Sequence, residues 1–314
     1  MRSIVTGGAG FVGSHLCDFL IARGHRVLCL DNLITGKREN ISHLLKHPRF
    51  RFIRHDVTHP LPPGLPRPDY LFHLASPASP VGYAKHSLET IQTNTIGTQK
   101  LLEYVRKTKA RFLLASTSEV YGSPAVHPQP ETYWGNVNSF GPRSCYDESK
   151  RLGETLVYEY LHKFKVNARI VRIFNTYGPR LNEADGRVVS NFITQALKGN
   201  PLTVYGDGRQ TRSFCYVSDL VQGLWKANST VGTRGGVFNL GNPNETTILK
   251  FAKVVLDLCG HPDARIVRKP LPQDDPTRRK PDISKAKRFL GWEPKVTLRE
   301  GLERTIEWYR GRIG

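Results

Sequence analysis

An α/β fold, a doubly wound parallel sheet carrying a smaller mixed C-terminal unit, is predicted by three features of this 314-residue sequence. Short apolar runs alternate with helical patterns through the first half, the signature of βαβ units. A glycine-rich turn, "TGGAGFVG", stands between the first apolar run and the first helix. After Thr176 the alternation loosens into Gly- and Pro-punctuated loops with shorter elements.

The strands expected are Ser3 to Thr6, Arg26 to Leu30, Phe50 to His55, Tyr70 to Ala75, Arg111 to Ala115 and Ala168 to Ile173. Between them, Phe11 to Ala22 sets Leu16, Phe19 and Leu20 on one helical face, and Ser87 to Lys107 continues with Ile91, Leu101, Leu102 and Tyr104. A third helix, Cys145 to Phe164, carries Leu152, Leu156 and Tyr160 at four-residue spacing, read as a buried stripe. Helices of this kind cover a sheet on both sides. Farther on, Thr247 to Cys259 reads as a helix stopped by Gly260, and Asp282 caps one that ends at Gly291. Thr297 with Glu300 makes a capping box for a last helix through Trp308. The division expected is a nucleotide-binding unit over residues 1–176, to which the chain returns near 214–243, and a mainly substrate-binding unit over 177–314.

Composition is that of a soluble globular protein, with 39% hydrophobic residues. No run approaches the ~18 apolar residues of a membrane span. "MRSIVTGG" runs straight into a strand, without the layout of a signal peptide. A cytoplasmic location is expected. The five cysteines are scattered and odd in number, so they are read as buried or half-buried thiols. No metal-ligand spacing accompanies them, and no metal is expected. The balance of 46 Lys+Arg against 27 Asp+Glu gives +19, which attracts anions in general. The basic residues are spread out apart from clusters such as "TRRKPDISKAKR", and no nucleic-acid motif goes with them. No specific nucleic acid is expected. A cofactor-bound RNA-binding protein is the rival from another class, separable by a salt-dependent RNA shift.

Gly7, Gly10 and Gly13 follow the first strand and open the first helix, where backbone N–H groups meet a pyrophosphate without Cβ atoms in the way. Asp31 closes the second strand, where a carboxylate accepts both ribose hydroxyls and repels a 2′-phosphate. That favours NAD, with Lys37 and Arg38 keeping NADP as the alternative. Asp56-Val57 can frame the adenine, and Leu74, Ala75 and Ser76 are small enough to lie against a cofactor.

Tyr146 and Lys150 are four apart and share a helical face. A lysine ammonium beside a phenol favours the phenolate, so Tyr146 can serve as a base below its usual pKa of ~10. In that reading Tyr146 takes a proton from a substrate alcohol, Lys150 holds the nicotinamide ribose, and Thr117 orients the same hydroxyl. "ASTSEVYG" puts Ser118 and Glu119 beside Thr117 at a strand end, and the chemistry that wants a carboxylate there is left open by the residues alone.

With these motifs the chain resembles the extended short-chain dehydrogenase/reductases and, within them, the family of UDP-glucuronate decarboxylases. The resemblance covers nearly the whole chain through "TGGAGFVGSHL", "HLASPASP", "TNTIGT", "LLASTSEVYG", "CYDESKR", "RIFNTYGPR", "DGRVVSNFI", "PLTVYGDG", "TRSFCYVSDL" and "RRKPDI". It implies a Rossmann-type sheet, a permanently bound NAD, and UDP-glucuronate as substrate. The implied reaction is C4 oxidation, loss of the C5 carboxylate as carbon dioxide and re-reduction to UDP-xylose. It also implies Phe11, Val12, Asn32, Thr35, Thr93 and Thr176 as further cofactor contacts. Asn175, Arg187, Asn191, Tyr205 and Arg212 are implied at the UDP, and Arg279 as a cation facing the sugar carboxylate. Glu119 is then expected near the substrate carboxylate, either charged and destabilising it or protonated and managing the C5 proton.

A homodimer paired through the helices near 87–107 and 145–164 is expected. The membrane anchor of animal members is absent, which implies a bacterial-type soluble enzyme. The enzymatic rivals are a nucleotide-sugar 4,6-dehydratase, which should show Asp-Glu where this chain has Ser118-Glu119, and a 4-epimerase, which usually lacks the acid. The loop His59 to Asp69 is proline-rich for the family, which leaves substrate-edge contacts there unassigned.

Overall fold

The computed structural model describes residues 1–271 and 278–313. Thr277, which begins the basic cluster, and Gly314, at the end of the second unit, lie outside the described residues.

Seven parallel strands form the central sheet: β1 (Arg2–Thr6), β2 (Arg26–Asp31), β3 (Phe50–Arg54), β4 (Tyr70–His73), β5 (Arg111–Thr117), β6 (Ala168–Ile173) and a last one, Val237–Leu240. Their spatial order is β3-β2-β1-β4-β5-β6-Val237–Leu240. This is the doubly wound, Rossmann-type arrangement that the sequence predicts. Strand order reverses between β1 and β4, which opens a crevice at their carboxyl ends.

β1, β2 and β3 each differ from expectation by one residue at one end, and β4 and β5 by two. The Tyr70 to Ala75 run leaves the sheet after His73. Leu74 and Ala75 turn to pass under Gly7, where a Cβ would lie 2.6 Å from the Ala75 nitrogen. β5 runs on to Thr117, so two of the hydroxyls in "STS" belong to the strand itself and only Ser118 opens the turn after it.

Both faces of the sheet are covered. On one, Leu16 and Leu20 of α1 (Phe11–Ala22) join Leu220, Val221 and Leu224 of the helix Val217–Ser229 in a cluster that continues to Phe192, Phe251 and Leu302 in the second unit. On the other, Leu101, Leu102 and Val105 meet Val157 and Tyr160 over Leu71, Phe112 and Leu114. The expected helix from Ser87 is interrupted: Ser87–Gln92 and Thr98–Thr108 are joined by a wide π turn, Thr93–Gly97. There Val57 fills the space of the Gly97 side chain, 2.7 Å from where a Cβ would be, and Asn94 Nδ2 donates to Ser149 Oγ at 2.9 Å.

The predicted stripe on the Ser144–Phe164 helix is corrected at its start. Leu152 is 49% exposed, Leu156 half-buried and Tyr160 buried. Steps of four residues advance 40° beyond a full turn, at about 3.6 residues per turn, so the stripe walks from solvent into the core. Ile91 is likewise exposed rather than buried. The proline-rich loop His59 to Asp69 runs from the carboxyl end of β3, where the His59 amide donates to Asp56 O at 3.1 Å, to the opposite end of the sheet. The Asp69 amide donates to Arg2 O at 2.9 Å, and Tyr104 Oη donates to Pro66 O at 2.9 Å. None of the loop's residues lines the cleft.

The smaller unit is built from short pieces. Leu202–Tyr205 pairs in parallel with Ile266–Lys269. Thr211–Ser213 lies between Glu245–Thr247 and Arg278–Arg279, with Arg212 opposite Arg279. This small sheet hangs beside the carboxyl end of β5.

Candidate active site

A cleft of about 780 Å³ runs along the carboxyl ends of the strands between the two units. At its nucleotide end, Gly7 holds φ +70°, and a Cβ at Gly13 would lie 2.1 Å from Gly7 O, so both glycines are demanded by packing. Gly10 is different: a Cβ there would meet only Gly7 O, at 3.2 Å. The α1 N-terminus has no side-chain cap and no acidic residue in its first turn. Uncapped amides at the positive end of a helix suit a phosphate, so these residues fit a dinucleotide on their own geometry.

Asp31 closes β2 as expected, but its carboxylate serves the protein first. Oδ2 accepts from the Ala9 amide at 2.9 Å and Oδ1 from the Leu33 amide at 2.8 Å. Burial raises its pKa, against the pull of those two amides. Lys37 reaches away from it, to Glu183 at 3.6 Å and Asn182 at 3.4 Å, and Arg38 lies over the Phe52 ring.

Tyr146 and Lys150 sit side by side on the Ser144–Phe164 helix, with Lys150 Nζ 5.8 Å from the Tyr146 ring centre. Tyr146 is hydrogen-bonded to Thr117. Its ring stacks on Tyr83 at 5.1 Å and 13°. Lys150 Nζ donates to Ala115 O at 2.9 Å.

The simple picture of an ammonium lowering a phenol needs correcting for the ligand-free protein. Burial pushes the Tyr146 phenol up, only partly opposed by Thr117. Burial also brings Lys150 down to about 7, with Glu154 pulling the other way. Desolvation acts on both groups and outweighs the charge of one on the other.

At the far end, Glu119 lies between two arginines. Arg279 Nη1 donates to Oε1 and Arg143 Nη2 to Oε2. Arg279 is 2% exposed, and its other bonds go to Ser118 Oγ at 3.3 Å and Gly122 O at 2.8 Å. Burial raises the Glu119 carboxyl, but the Arg279 and Arg143 guanidiniums outweigh it and hold the pKa at about 2. In the ligand-free protein Glu119 is therefore held ionised, and Arg279 faces it.

The cleft brings together Gly7, Phe11, Val12, Gly13, Thr35, Leu74 and Ser76 with Thr117, Ser118, Glu119, Tyr146 and Lys150. After β6 it adds Asn175 and Thr176, and from the second unit Arg187, Asn191, Tyr205, Arg212 and Arg279. Gly10, Asp31, Asn32, Asp56, Val57, Ala75 and Thr93 are not part of that lining. Asn32 Nδ2 donates to Asp56 Oδ2 at 2.9 Å, which ties the ends of β2 and β3 together. Arg187 is paired with Asp185, and Asn191 Nδ2 donates to Gly186 O at 3.1 Å. Sequence reasoning missed Arg143, Tyr83 and Arg180, all of which line the cleft. The signal for Arg143 was its place three residues before Tyr146, one helical turn from the candidate base.

Among the described residues no helix is long and apolar enough to cross a membrane, and no group of His, Cys, Asp and Glu is arranged to hold a metal. All five cysteines are free, four of them buried and Cys145 half-buried.

A Rossmann sheet with a Tyr-x-x-x-Lys helix and a nucleotide-sized cleft defines a short-chain dehydrogenase/reductase-type enzyme. The family model for GDP-mannose 4,6-dehydratase matches residues 4–305. The dTDP-glucose 4,6-dehydratase of Streptomyces venezuelae, solved with NAD bound, superposes with a TM-score of 0.90 at 30% identity over 99% of this chain and 98% of that one. The UDP-glucuronic acid 4-epimerase of Bacillus cereus, in complex with UDP-glucuronic acid and NAD, gives 0.88 at 31% identity over 99% of both chains. UDP-glucuronic acid decarboxylase 4 of Arabidopsis thaliana is 56% identical over 313 residues, covering all of this chain and 69% of that protein's length. The chain belongs to the UDP-glucuronic acid decarboxylase family.

Proposed function

We propose that the protein converts UDP-glucuronate to UDP-xylose and carbon dioxide with a tightly held NAD. The observation that carries this reading is the ionised Glu119–Arg279 pair in the same cleft as Tyr146 and Lys150, in a chain of this family. NAD, when bound, supplies the acceptor and later the donor of one hydride at C4.

The chain's own residues do the rest. Tyr146, oriented by Thr117, takes the proton of the C4 hydroxyl and returns it at the end. Lys150 holds the ribose and steadies the phenolate as the site fills. Once C4 is a ketone, it stands β to the carboxylate. The C5–carboxylate bond then breaks, carbon dioxide leaves, and the electron pair enters the C4–C5 enolate, which takes a proton at C5. Glu119 and Arg279 manage charge at that end. Gly7, Gly10, Phe11, Val12, Gly13, Asp31, Asn32, Thr35, Asp56, Val57, Leu74, Ala75, Ser76, Thr93 and Thr176 frame the cofactor. Asn175, Arg187, Asn191, Tyr205 and Arg212 hold the UDP, where guanidinium forks suit phosphates. In this division residues 1–176, with the returning segment near 214–243, carry the cofactor, and residues 177–314 mainly the nucleotide sugar.

We place the enzyme in the cytoplasm, supported by its unpaired thiols. It works as a homodimer through the helices Ser87–Gln92, Thr98–Thr108 and Ser144–Phe164. Support comes from Leu88, Leu152 and Tyr158, which those helices leave 69%, 49% and 57% exposed. The test is incubation with UDP-glucuronate and no added NAD. Release of carbon dioxide and a product lighter by that mass supports the reading, and an isomer of unchanged mass contradicts it.

A further inference from the structure

Behind the catalytic pair stands a carboxylate that the proposed reaction leaves without a task. Glu154 lies four residues beyond Lys150 on the Ser144–Phe164 helix, and therefore on the same helical face. It does not line the cleft. Its Oε1 accepts from Ser116 Oγ at 2.6 Å and from Arg172 Nε at 3.0 Å, and its Oε2 from Arg172 Nη2 at 2.7 Å. The two side chains are only 14% and 13% exposed. Arg172 is fixed in turn, because Nη1 donates to Tyr121 Oη at 3.0 Å and to Glu131 O at 3.1 Å. The carboxylate is thus held in one place.

The end of β5 holds the catalytic pair in the same way. Lys150 Nζ donates to Ala115 O, Ser116 Oγ donates to Glu154, and Thr117 is hydrogen-bonded to Tyr146. Three consecutive strand residues therefore grip the side chains at 146, 150 and 154, each about one helical turn from the next.

Charge follows the same geometry. Of the ion pair it is Glu154 whose charge reaches Lys150, acting against burial to keep the ammonium. The other titratable groups near the pair offer Lys150 no counter-charge. His73 of β4 is held neutral at about 3 by burial, with the Lys150 charge adding to it, and its ring nitrogens are bonded to Thr6 Oγ1 at 2.8 Å and Thr98 Oγ1 at 3.1 Å. Burial pushes the Tyr83 phenol up to about 12, so it too is neutral. Glu119, Arg187 and Asp147 act on the Tyr146 phenol, not on Lys150.

We infer that Glu154 is a positioning residue for the oxidation step: clamped by Ser116 and Arg172, its carboxylate is the counter-charge of the Lys150 ammonium and, through Lys150, supports the Tyr146 phenolate. This rests on Tyr146 as the base of the proposed reaction and deepens that reading. The proton still passes from the C4 hydroxyl to Tyr146, and Glu154 takes none.

The experiment follows carbon dioxide release from saturating UDP-glucuronate by the holoenzyme, across the pH range in which it stays folded. Glu154→Gln keeps the shape and the Ser116 bond but loses the charge. It narrows the pH window of kcat by ~1 unit on each side. The acid limb moves up because the phenol is harder to ionise, and the alkaline limb moves down because Lys150 loses its proton sooner. At neutral pH kcat falls ~10-fold while KM stays within about threefold. Glu154→Asp keeps the charge and shortens the clamp, so both limbs stay within about half a unit of wild type. Tm and the absorbance of bound NAD report that each variant is folded and loaded. Unmoved limbs in Glu154→Gln, whatever its rate, overturn the inference and leave Glu154 as a brace between the helix and the sheet. A window narrowed by a unit or more in Glu154→Asp overturns it as well, and this arm decides alone if Glu154→Gln does not fold. Failure of the underlying reading is seen separately, in wild-type protein that evolves no carbon dioxide from UDP-glucuronate.

Discussion

The two ends of the cleft are assembled in different ways. The nucleotide end comes from neighbours in the chain: Gly7, Gly10 and Gly13 within one turn, answered by Asp31 on the adjacent strand. The acid end comes from three separate places. Glu119 follows β5, Arg143 opens the next helix, and Arg279 arrives 160 positions later on a short strand of the other unit. A local site needs only the backbone of one βα unit, whereas a distributed one exists only when both units are docked. The first therefore depends on backbone geometry, and the second on charge.

The largest expected effect falls where the ends meet. Tyr146→Phe removes the proton acceptor and keeps the ring on Tyr83, so turnover drops by ~10²–10⁴-fold while UDP-glucuronate still binds. Steady-state rates with calorimetry check this, and a variant within twofold of wild type contradicts it.

Arg279→Ala is next, because it leaves Glu119 buried with one cation and frees the Gly122 carbonyl. A loss of ~3–5 kcal/mol is expected in urea unfolding. Arg143→Ala costs ~1 kcal/mol or less, since that pair is nearer solvent. Equal costs would mean that the two arginines do not differ as described.

At the nucleotide end, Gly7→Ala strains a +70° φ and drives a Cβ onto the Ala75 backbone, so the fold itself loses ~1–3 kcal/mol. Gly10→Ala keeps the fold and loses bound NAD, read from the absorbance of the purified protein. If Gly10→Ala retains NAD, the open N-terminus of α1 is not its seat.

The acid end also shows in pH. Glu119 has a folded pKa of about 2 against an ordinary 4.5, so its contribution to stability is complete above 4.5 and is lost as pH falls toward 2. Glu119→Gln should flatten that part of a Tm-against-pH curve, and an unchanged slope would show that Glu119 does not supply it.

The same contrast explains what could be read from the sequence. β1, α1 and β6 follow from apolar runs with clear ends, and the glycine turn from its spacing, because each is decided by residues within a few positions. Leu152 and Ile91 were assigned to a core they do not enter, since periodicity gives a face but not what covers it. Arg143 carries no motif beyond its place one turn before Tyr146, and its contact with Glu119 is seen only in the fold. Glu119 itself was legible as an oddity in "ASTSEVYG", but its charge state was not: that depends on Arg279, which the small sheet alone brings near. Lys150 and Tyr146 share one helical face as the spacing predicts, while the direction of each group's net shift is set by burial.

The central claim is that one cleft separates oxidation at C4 from decarboxylation at C5 and gives each its own residues. Single-turnover mixing of the Glu119→Gln holoenzyme with UDP-glucuronate, following absorbance at the reduced-nicotinamide band together with carbon dioxide, tests it most directly. The account predicts an absorbance rise within a few-fold of wild type and carbon dioxide release slower by ~10-fold or more. Carbon dioxide released as fast as in wild type, or an absorbance rise slowed equally with it, would contradict that division of labour.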